Sequence, residues 1–268
     1  MPSQPTPFSP VDKTDTQHDG TEDLSINNTR LHRFLTLLAL KTLAKLHTHN
    51  GDCIAITKHK IVKTGIWVHL TEAATMQFVD QNTSSIPTPK VHCAFVRKNR
   101  AYIVMQRIHG RGFPAAWRKH NFTEENLAKI FNQLKQMFEE LCAIKTPPDT
   151  GGRRELRREI HPNQYPDKDD QDWLDIKDMV TKQDGPWPAP VFTHGDLDPF
   201  NILLRGDEVV GIIDWECAGW FPYYWEYTVA YTGNATRTGW RDLIDRFLEP
   251  FPDELRMEGI RQKWWGEF

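Results

Sequence analysis

One segment of this chain limits its possible folds more than any other. Residues 191–216 read VFTHGDLDPFNILLRGDEVVGIIDWE, which predicts a loop, a short apolar strand, a tight turn at Gly206 and a second apolar strand. Asn201 precedes the first strand and Asp214 follows the second. Because paired strands lie about 4.8 Å apart, this hairpin brings the two side chains together, and one metal ion can be shared between them.

The order of polar residues in this segment suits phosphoryl transfer. That reaction needs a carboxylate to orient and deprotonate the attacking hydroxyl, together with charge neutralisation on the phosphates. Asp196 lies in the loop and is the candidate catalytic base. Asn201 and Asp214 offer hard oxygen atoms, which suit Mg²⁺. His194 belongs to the same catalytic group, where hydrogen bonding that braces the loop is favoured over a role as catalytic acid.

Chance and calcium binding explain this segment poorly. At average residue usage, HGDxxxxN is expected in a chain of this length with a probability of roughly one in a thousand. An EF-hand loop that starts at Asp196 needs Gly at its sixth position and Glu at its twelfth. Asn201 and Asp207 occupy those positions, so the EF-hand interpretation fails.

Composition excludes several classes of protein. The 33 basic and 36 acidic side chains give a net charge of only -3, so neither nucleic acid nor a membrane is an expected partner. The four cysteines form no CxxC pair and favour a reducing, cytoplasmic location. The N-terminal residues lack the features of a secretory signal. The most apolar window, residues 31–47, is interrupted by charges and predicts a packed amphipathic helix.

The N-terminal part contains two pairs of short apolar runs. CIAIT and KIVK, which begin at Cys53 and Lys60, predict one hairpin, and VHCAFV and AYIVMQ predict a second hairpin around RKNR. The run LTEAATMQFVD, which begins at Leu70, predicts a helix between the two hairpins. These elements predict a lobe made of an antiparallel sheet plus helix.

The remainder is mostly helical in its periodicity. FTEENLAKIFNQLKQMFEELCAI predicts a helix capped by Thr123, and DWLDIKDMV predicts another within the otherwise irregular residues 149–190. The aromatic residues that follow Asp214 are expected to fill a core rather than to bind substrate; they are Trp215, Trp220, Phe221, Tyr223, Tyr224, Trp225 and Tyr227. The predicted fold class is α+β with two lobes, the second mostly helical.

Three segments follow from this division. Residues 1–28 are rich in Pro, Ser, Thr and Asp and predict a disordered N-terminal segment. Residues 29–108 form the predicted N-terminal lobe. Residues 109–268 form the predicted C-terminal lobe, which is expected to be catalytic and to bind substrate.

HGDL, Asn201 and IIDW together resemble the aminoglycoside phosphotransferase and choline kinase-like family of small-molecule kinases, and within it the fungal-type phosphotransferase-domain proteins. In that family HGD and IDW or IDF replace the HRD and DFG of protein kinases. The resemblance includes IVKTG, LTEAATMQFV, SIPTPKV, AYIVMQRIHG and DWECAGWFPYYWEY, and spans roughly residues 52–230. It implies a protein kinase-like two-lobed fold that uses ATP and Mg²⁺, with ATP in the cleft between the lobes.

The resemblance also implies a set of nucleotide contacts. Lys63 would contact the α- and β-phosphates, and Glu72 on the following helix would pair with Lys63. Met105 would form the back wall of the adenine pocket, while the backbone at Gln106 and Ile108 would bind the adenine edge. The sequence departs from the usual pattern because no GxGxxG precedes Lys63.

The chain is therefore expected to be an ATP- and Mg²⁺-dependent phosphotransferase that acts on a hydroxyl group of a small molecule, with Asp196 as base. The alternative is a catalytically weak pseudokinase that acts as a binding module, because the phosphate loop lacks glycines. A protein kinase is disfavoured, since HGD and DWE replace HRD and DFG. The sequence leaves open the phosphate acceptor, the role of residues 149–190 and the oligomeric state.

Overall fold

The computed structural model describes residues 18, 20–46, 49–147, 171–183, 187–234 and 238–265. The chain divides into two compact units. The first comprises Met1–Gln81 and Thr88–His109, and the second comprises Asn82–Pro87 and Gly110–Phe268. The described helices include none that is both long and apolar enough to traverse a lipid bilayer.

The first unit contains an antiparallel sheet and two helices. Its elements, in chain order, are α1 (Arg30–Thr42), β1 (His49–Asn50), β2 (Cys53–Ala55), β3 (Lys60–Gly65), α2 (Leu70–Asn82), β4 (Val91–Val96) and β5 (Ala101–Gln106). Among the described residues the strands are ordered β1-β2-β3-β5-β4. Both predicted hairpins and the predicted helix between them are confirmed.

The two faces of this sheet are covered by different helices. Val62 and Val104, which are paired across β3 and β5, belong to a buried apolar cluster against which Ala39 and Leu40 of α1 pack. Because side chains alternate between the two faces of a strand, Lys63 lies on the opposite face. There it meets Glu72 of α2.

Residues 20–28 were predicted to be disordered, and the structure contradicts this for the part of the segment that it describes. Residues Glu22–Leu24 form a 3₁₀ helix. The backbone of Ile26 exchanges two hydrogen bonds with Ala94, at 3.0 and 2.8 Å. The physical reason is that β4 is an edge strand whose unpaired backbone groups accept a further partner. Residues 1–17 and 19 lie outside the described residues.

The second unit begins with a short strand and is mostly helical. Its elements are β6 (Arg111–Gly112), α3 (Phe113–His120), α4 (Glu124–Cys142), α5 (Gln171–Gln183), β7 (Val191–Thr193), β8 (Ile202–Arg205), β9 (Glu208–Ile212), β10 (Gly219–Phe221), α6 (Trp225–Thr232), α7 (Thr238–Ile244) and α8 (Pro252–Trp265). The strands form two small antiparallel sheets, β6-β8-β9 and β10-β7.

Helix α4 supports the hairpin formed by β8 and β9. The predicted cap at Thr123 is confirmed, since Thr123 and Asn126 form a reciprocal capping box. Further along the helix, Gln133 Nε2 donates to Asp207 O at 2.9 Å and Gln133 Oε1 accepts from Val209 N at 3.0 Å. Lys129 Nζ lies 2.9 Å from Asp207 Oδ1. The closed end of the predicted hairpin is therefore anchored to the long helix.

The aromatic segment after Asp214 fills a core, as expected. Trp215, Tyr224, Trp225 and Tyr227 are buried, and the rings of Phe221 and Trp225 stack at 5.1 Å. Met179 of α5 and Met257 of α8 pack with Tyr224 and Trp225 in one apolar cluster. This cluster joins α5, α6 and α8, and it gives α6 a fixed position beneath the loop described below.

Candidate functional site

The loop between β7 and β8 is closed by the side chain of Asn201. Its Nδ2 donates to the carbonyl oxygen of Asp196 at 3.0 Å and to Asp196 Oδ2 at 3.1 Å. The backbone carbonyl oxygen of Asn201 accepts from Ile213 N at 3.0 Å, which fixes Asn201 beside the end of β9. Asn201 Oδ1 takes no part in these bonds and is left as an acceptor or metal ligand.

Asp214 follows β9 directly and has a left-handed backbone, with φ 68° and ψ 62°. This conformation is uncommon for residues other than glycine, and Asp and Asn tolerate it best. Burial raises the pKa of Asp196, and the nearby charges of Asp214 and Asp198 raise it further, while the hydrogen bond from Asn201 lowers it. The open end of the hairpin thus gathers the three side chains that the sequence singled out.

His194 is fully enclosed and joins the loop to the hairpin. Its Nδ1 accepts from Asp196 N at 3.3 Å, and its Nε2 lies 3.0 Å from Ile213 O. Since Nδ1 must accept, the proton lies on Nε2, which donates to Ile213. Burial lowers the pKa of His194 to about 4. A neutral imidazole with both nitrogens bonded suits the bracing role expected for this residue.

Glu226 is a site residue that the sequence did not single out. It lies on α6, only 5% exposed, and its Oε2 accepts from His194 N at 2.5 Å and from Gly195 N at 3.3 Å. Burial raises the pKa of Glu226 to about 7. The available signal was an acidic residue within the apolar and aromatic run YYWEYTVA, because such a residue is seldom buried without partners.

Gly195 lets the loop approach the turn that follows Asp214. Its φ is +76°, and a Cβ atom built on it would lie 2.4 Å from the carbonyl oxygen of Cys217. A side chain at this position would therefore strain the backbone and collide with it. The loop that carries Asp196 depends on glycine here.

The first unit holds the residues assigned to the nucleotide. Lys63 Nζ lies 2.8 Å from Glu72 Oε2, and both side chains are largely buried, at 11% and 2% exposure. Met105 is buried on β5. Gln106 N donates to Lys90 O at 2.9 Å, and no described residue accepts the N–H of Ile108.

The segment before Lys63, where a glycine-rich phosphate loop would lie, is short in the structure. β1 and β2 are joined by a two-residue turn, in which Asn50 pairs with Cys53 and Gly51 has φ +54°. Thr64 N donates to Asp52 O at 2.9 Å, which ties this turn to β3. The turn is therefore a compact reverse turn rather than an extended glycine-rich loop.

A sequence model of the phosphotransferase enzyme family matches residues 70–260, which is more than half of the chain. The chain belongs to the phosphotransferase enzyme family. This match contains Asp196, Asn201, Asp214 and Glu226, and it confirms the resemblance inferred from HGDL and IIDW. The predicted class of enzyme, a phosphotransferase, is also confirmed.

Solved structures confirm the predicted α+β kinase-like fold class. A choline/ethanolamine kinase family protein from Mesorhizobium loti is 15% identical, with a TM-score of 0.52, over 89% of this chain and 85% of that chain. A thermostable mutant of aminoglycoside phosphotransferase APH(4)-Ia, in a ternary complex with ADP and hygromycin B, is 10% identical, with a TM-score of 0.51, over 89% of this chain and 100% of that chain. No curated protein matches the sequence.

Proposed function

We propose that this phosphotransferase is an ATP- and Mg²⁺-dependent kinase that phosphorylates a hydroxyl group of a small molecule, with Asp196 as the catalytic base. One observation carries the proposal. The Asn201 side-chain amide donates two hydrogen bonds to Asp196, and the backbone carbonyl oxygen of Asn201 accepts one from Ile213 N, next to Asp214. The proposed base, Asp196, and the proposed metal ligands, Asn201 and Asp214, therefore belong to one hydrogen-bonded loop and hairpin.

The environment of Asp196 suits proton transfer. One carboxylate oxygen, Oδ2, is held by Asn201, while Oδ1 has no hydrogen-bond partner among the described residues. Burial and neighbouring carboxylates raise the pKa of Asp196, which makes it a better proton acceptor when it is ionised. We assign Oδ1 to the hydroxyl group of the acceptor.

The donor atoms near the end of β9 fit Mg²⁺. Asn201 Oδ1 and the Asp214 carboxylate are hard oxygen donors, which Mg²⁺ prefers in an octahedral shell completed by water and phosphate. Asn201 uses its nitrogen, not its oxygen, to hold Asp196, so the two roles of this side chain do not compete. Bound Mg²⁺ would neutralise charge on the transferred phosphoryl group.

Lys63 and Glu72 are proposed to serve the nucleotide. The buried ion pair at 2.8 Å holds the Lys63 ammonium in one position, where we assign it to the α- and β-phosphates of ATP. Met105, Gln106 and Ile108 are assigned to adenine. The complex of APH(4)-Ia with ADP supports an adenine nucleotide as the donor. The hydrogen bonds from Asn201 hold Asp196 in the position that a catalytic base needs, and this disfavours the pseudokinase alternative.

Turnover tests this proposal. The purified chain would be screened with MgATP against hydroxylated metabolites, with ADP release and phosphorylated product both measured. We expect Asp196→Asn to lower kcat by about 10²–10⁴-fold, the usual contribution of a general base. Asp253→Asn, the same change on an exposed residue of α8, is the matched control and should retain turnover.

Two outcomes would count against the proposal. Wild-type turnover in Asp196→Asn, with the acceptor present, would exclude Asp196 as the base. Failure of millimolar MgATP to raise the Tm of the wild-type chain would favour the pseudokinase instead, because a ligand that binds only the folded state must stabilise it.

A further inference from the structure

Helix α1 has a second apolar side that is largely exposed in the part of the chain that the structure describes. The predicted amphipathic helix buries Thr36 and packs Ala39 and Leu40 on the sheet. Four large residues at positions i, i+3, i+4 and i+7 nevertheless lie outside: Leu31, Phe34, Leu35 and Leu38 are 63%, 61%, 48% and 44% exposed. A contiguous apolar stripe of this kind marks an interaction site more often than scattered exposed residues do.

A groove lies beside this stripe, and we call it the α1 groove. It has a volume of about 520 Å³, and it runs between α1 and the face of the sheet. Its floor is apolar and buried, and is formed by Ile56, Cys93 and Val104. Leu35 and Leu38 of α1, together with Leu43 just after the helix, form one wall. The groove shares Leu35 and Leu38 with the stripe, so the two surfaces are continuous.

The surroundings of the α1 groove are cationic. Helix α1 contains no acidic residue, and its Arg30 and Lys41 are exposed. Lys60 lines the groove beside His92. Burial, followed by the charges of Lys60 and Lys90, lowers the pKa of His92, which places both lysines near its ring. Residues 20–46, 49–81 and 88–109 carry 12 Lys and Arg against 5 Asp and Glu.

We propose that the α1 groove binds an amphipathic helix of a partner protein, with its apolar side on Leu35 and Leu38 and acidic residues facing Arg30, Lys41 and Lys60. Helix α1 has 13 residues and is about 20 Å long. A partner helix laid along it covers both the groove and the stripe. The helix-in-groove mode uses this same spacing of apolar anchors.

Other occupants fit this surface less well. A small molecule that filled 520 Å³ would leave Leu31 and Phe34 uncovered. A second copy of this chain would bring identical cations face to face, which is unfavourable. A flat anionic bilayer would contact the stripe but could not reach the buried floor at Cys93. Acidic residues of a partner helix, in contrast, would form ion pairs with Arg30 and Lys41 on one side and with Lys60 on the other.

Designed peptides test the proposal. A labelled synthetic helix of roughly four turns, with Leu on one side and Glu on both flanks, would be titrated with the full chain by fluorescence anisotropy. We expect saturable binding that Leu35→Ser combined with Leu38→Ser weakens at least about tenfold. Lys60→Glu should weaken binding of the Glu-flanked peptide and strengthen binding of a peptide that carries Lys on both flanks. Leu174→Ser, at a leucine on α5 that is 53% exposed, should change nothing.

Several results would overturn the proposal. The first is equal binding of a scrambled peptide of the same composition, and the second is no binding at all by a chain whose circular dichroism and Tm are intact. Phosphatidylserine vesicles that bind in place of the peptide would assign the surface to a membrane. A dimer that Leu35→Ser dissociates would assign it to a second copy. Tighter peptide binding after deletion of residues 1–17 would assign it to the chain's own beginning.

Discussion

Glu226→Gln should change how stability depends on pH. Glu226 has its pKa raised by burial from 4.5 to about 7. Its contribution to folding stability is therefore fully present below pH 4.5 and is lost as the pH rises through about 7, because the folded state then holds a buried charge. A rise in the pKa of Glu226 from 4.5 to about 7 corresponds to ~3 kcal/mol in the free energy of unfolding.

His194 acts in the opposite direction over the same pH range. Burial lowers the pKa of His194 from 6.5 to about 4, so its contribution is present above pH 6.5 and is lost as the pH falls towards 4. The contribution of His194 to the free energy of unfolding is again ~3 kcal/mol. In the wild-type chain the two contributions offset each other, and Glu226→Gln removes only one of them.

Urea unfolding followed by tryptophan fluorescence, between about pH 8 and 4.5, measures this effect. We expect the difference in unfolding free energy between the wild type and Glu226→Gln to grow by ~3 kcal/mol on acidification. Glu139→Gln, the same substitution at a side chain that is 65% exposed, is the control. A difference that stays constant with pH would refute the assignment of a buried, titrating carboxylate beneath the loop.

Two further predictions concern backbone contacts. Gly195→Ala should lower the free energy of unfolding by about 2–4 kcal/mol and reduce turnover, because of the +76° φ and the contact with Cys217 O; an unchanged Tm would contradict this. Glu140 accepts from Ser84 N at 2.6 Å and Ser85 N at 2.9 Å, and hydrogen bonds from Ser85 and Ser84 lower the pKa of Glu140 to about 2. Glu140→Gln should therefore lower the free energy of unfolding by about 1–3 kcal/mol at neutral pH. Chemical unfolding should show this loss disappear as the pH falls from 4.5 towards 2. A loss that persists at low pH would exclude the charge of Glu140 as its source.

Local elements were predictable because their signals lie within a few residues. The hairpins at β2–β3, β4–β5 and β8–β9 follow from period-two runs separated by short turns. The hairpin at β8–β9 was enough to place Asn201 and Asp214 at one end. The cap at Thr123 needed only the residues of its own turn.

Contacts between distant segments were not predictable in the same way. Glu226 reaches the loop from more than 30 residues away in sequence, and its burial depends on how α6 packs against α5 and α8. Ile26 pairs with Ala94 only because β4 is an edge of the finished sheet. Periodicity predicted that α1 is amphipathic, but Leu31 and Phe34 show that an apolar residue of a helix need not face the core.

Binding of Mn²⁺, followed by electron paramagnetic resonance, tests the central claim most directly, because Mn²⁺ takes the same oxygen ligands as Mg²⁺. The wild-type chain should bind Mn²⁺ tightly only when ATP is present. Asp214→Ala and Asn201→Ala should each lose this ATP-dependent binding while remaining folded. Wild-type binding of Mn²⁺ with ATP in both variants would contradict the site proposed at the open end of the hairpin.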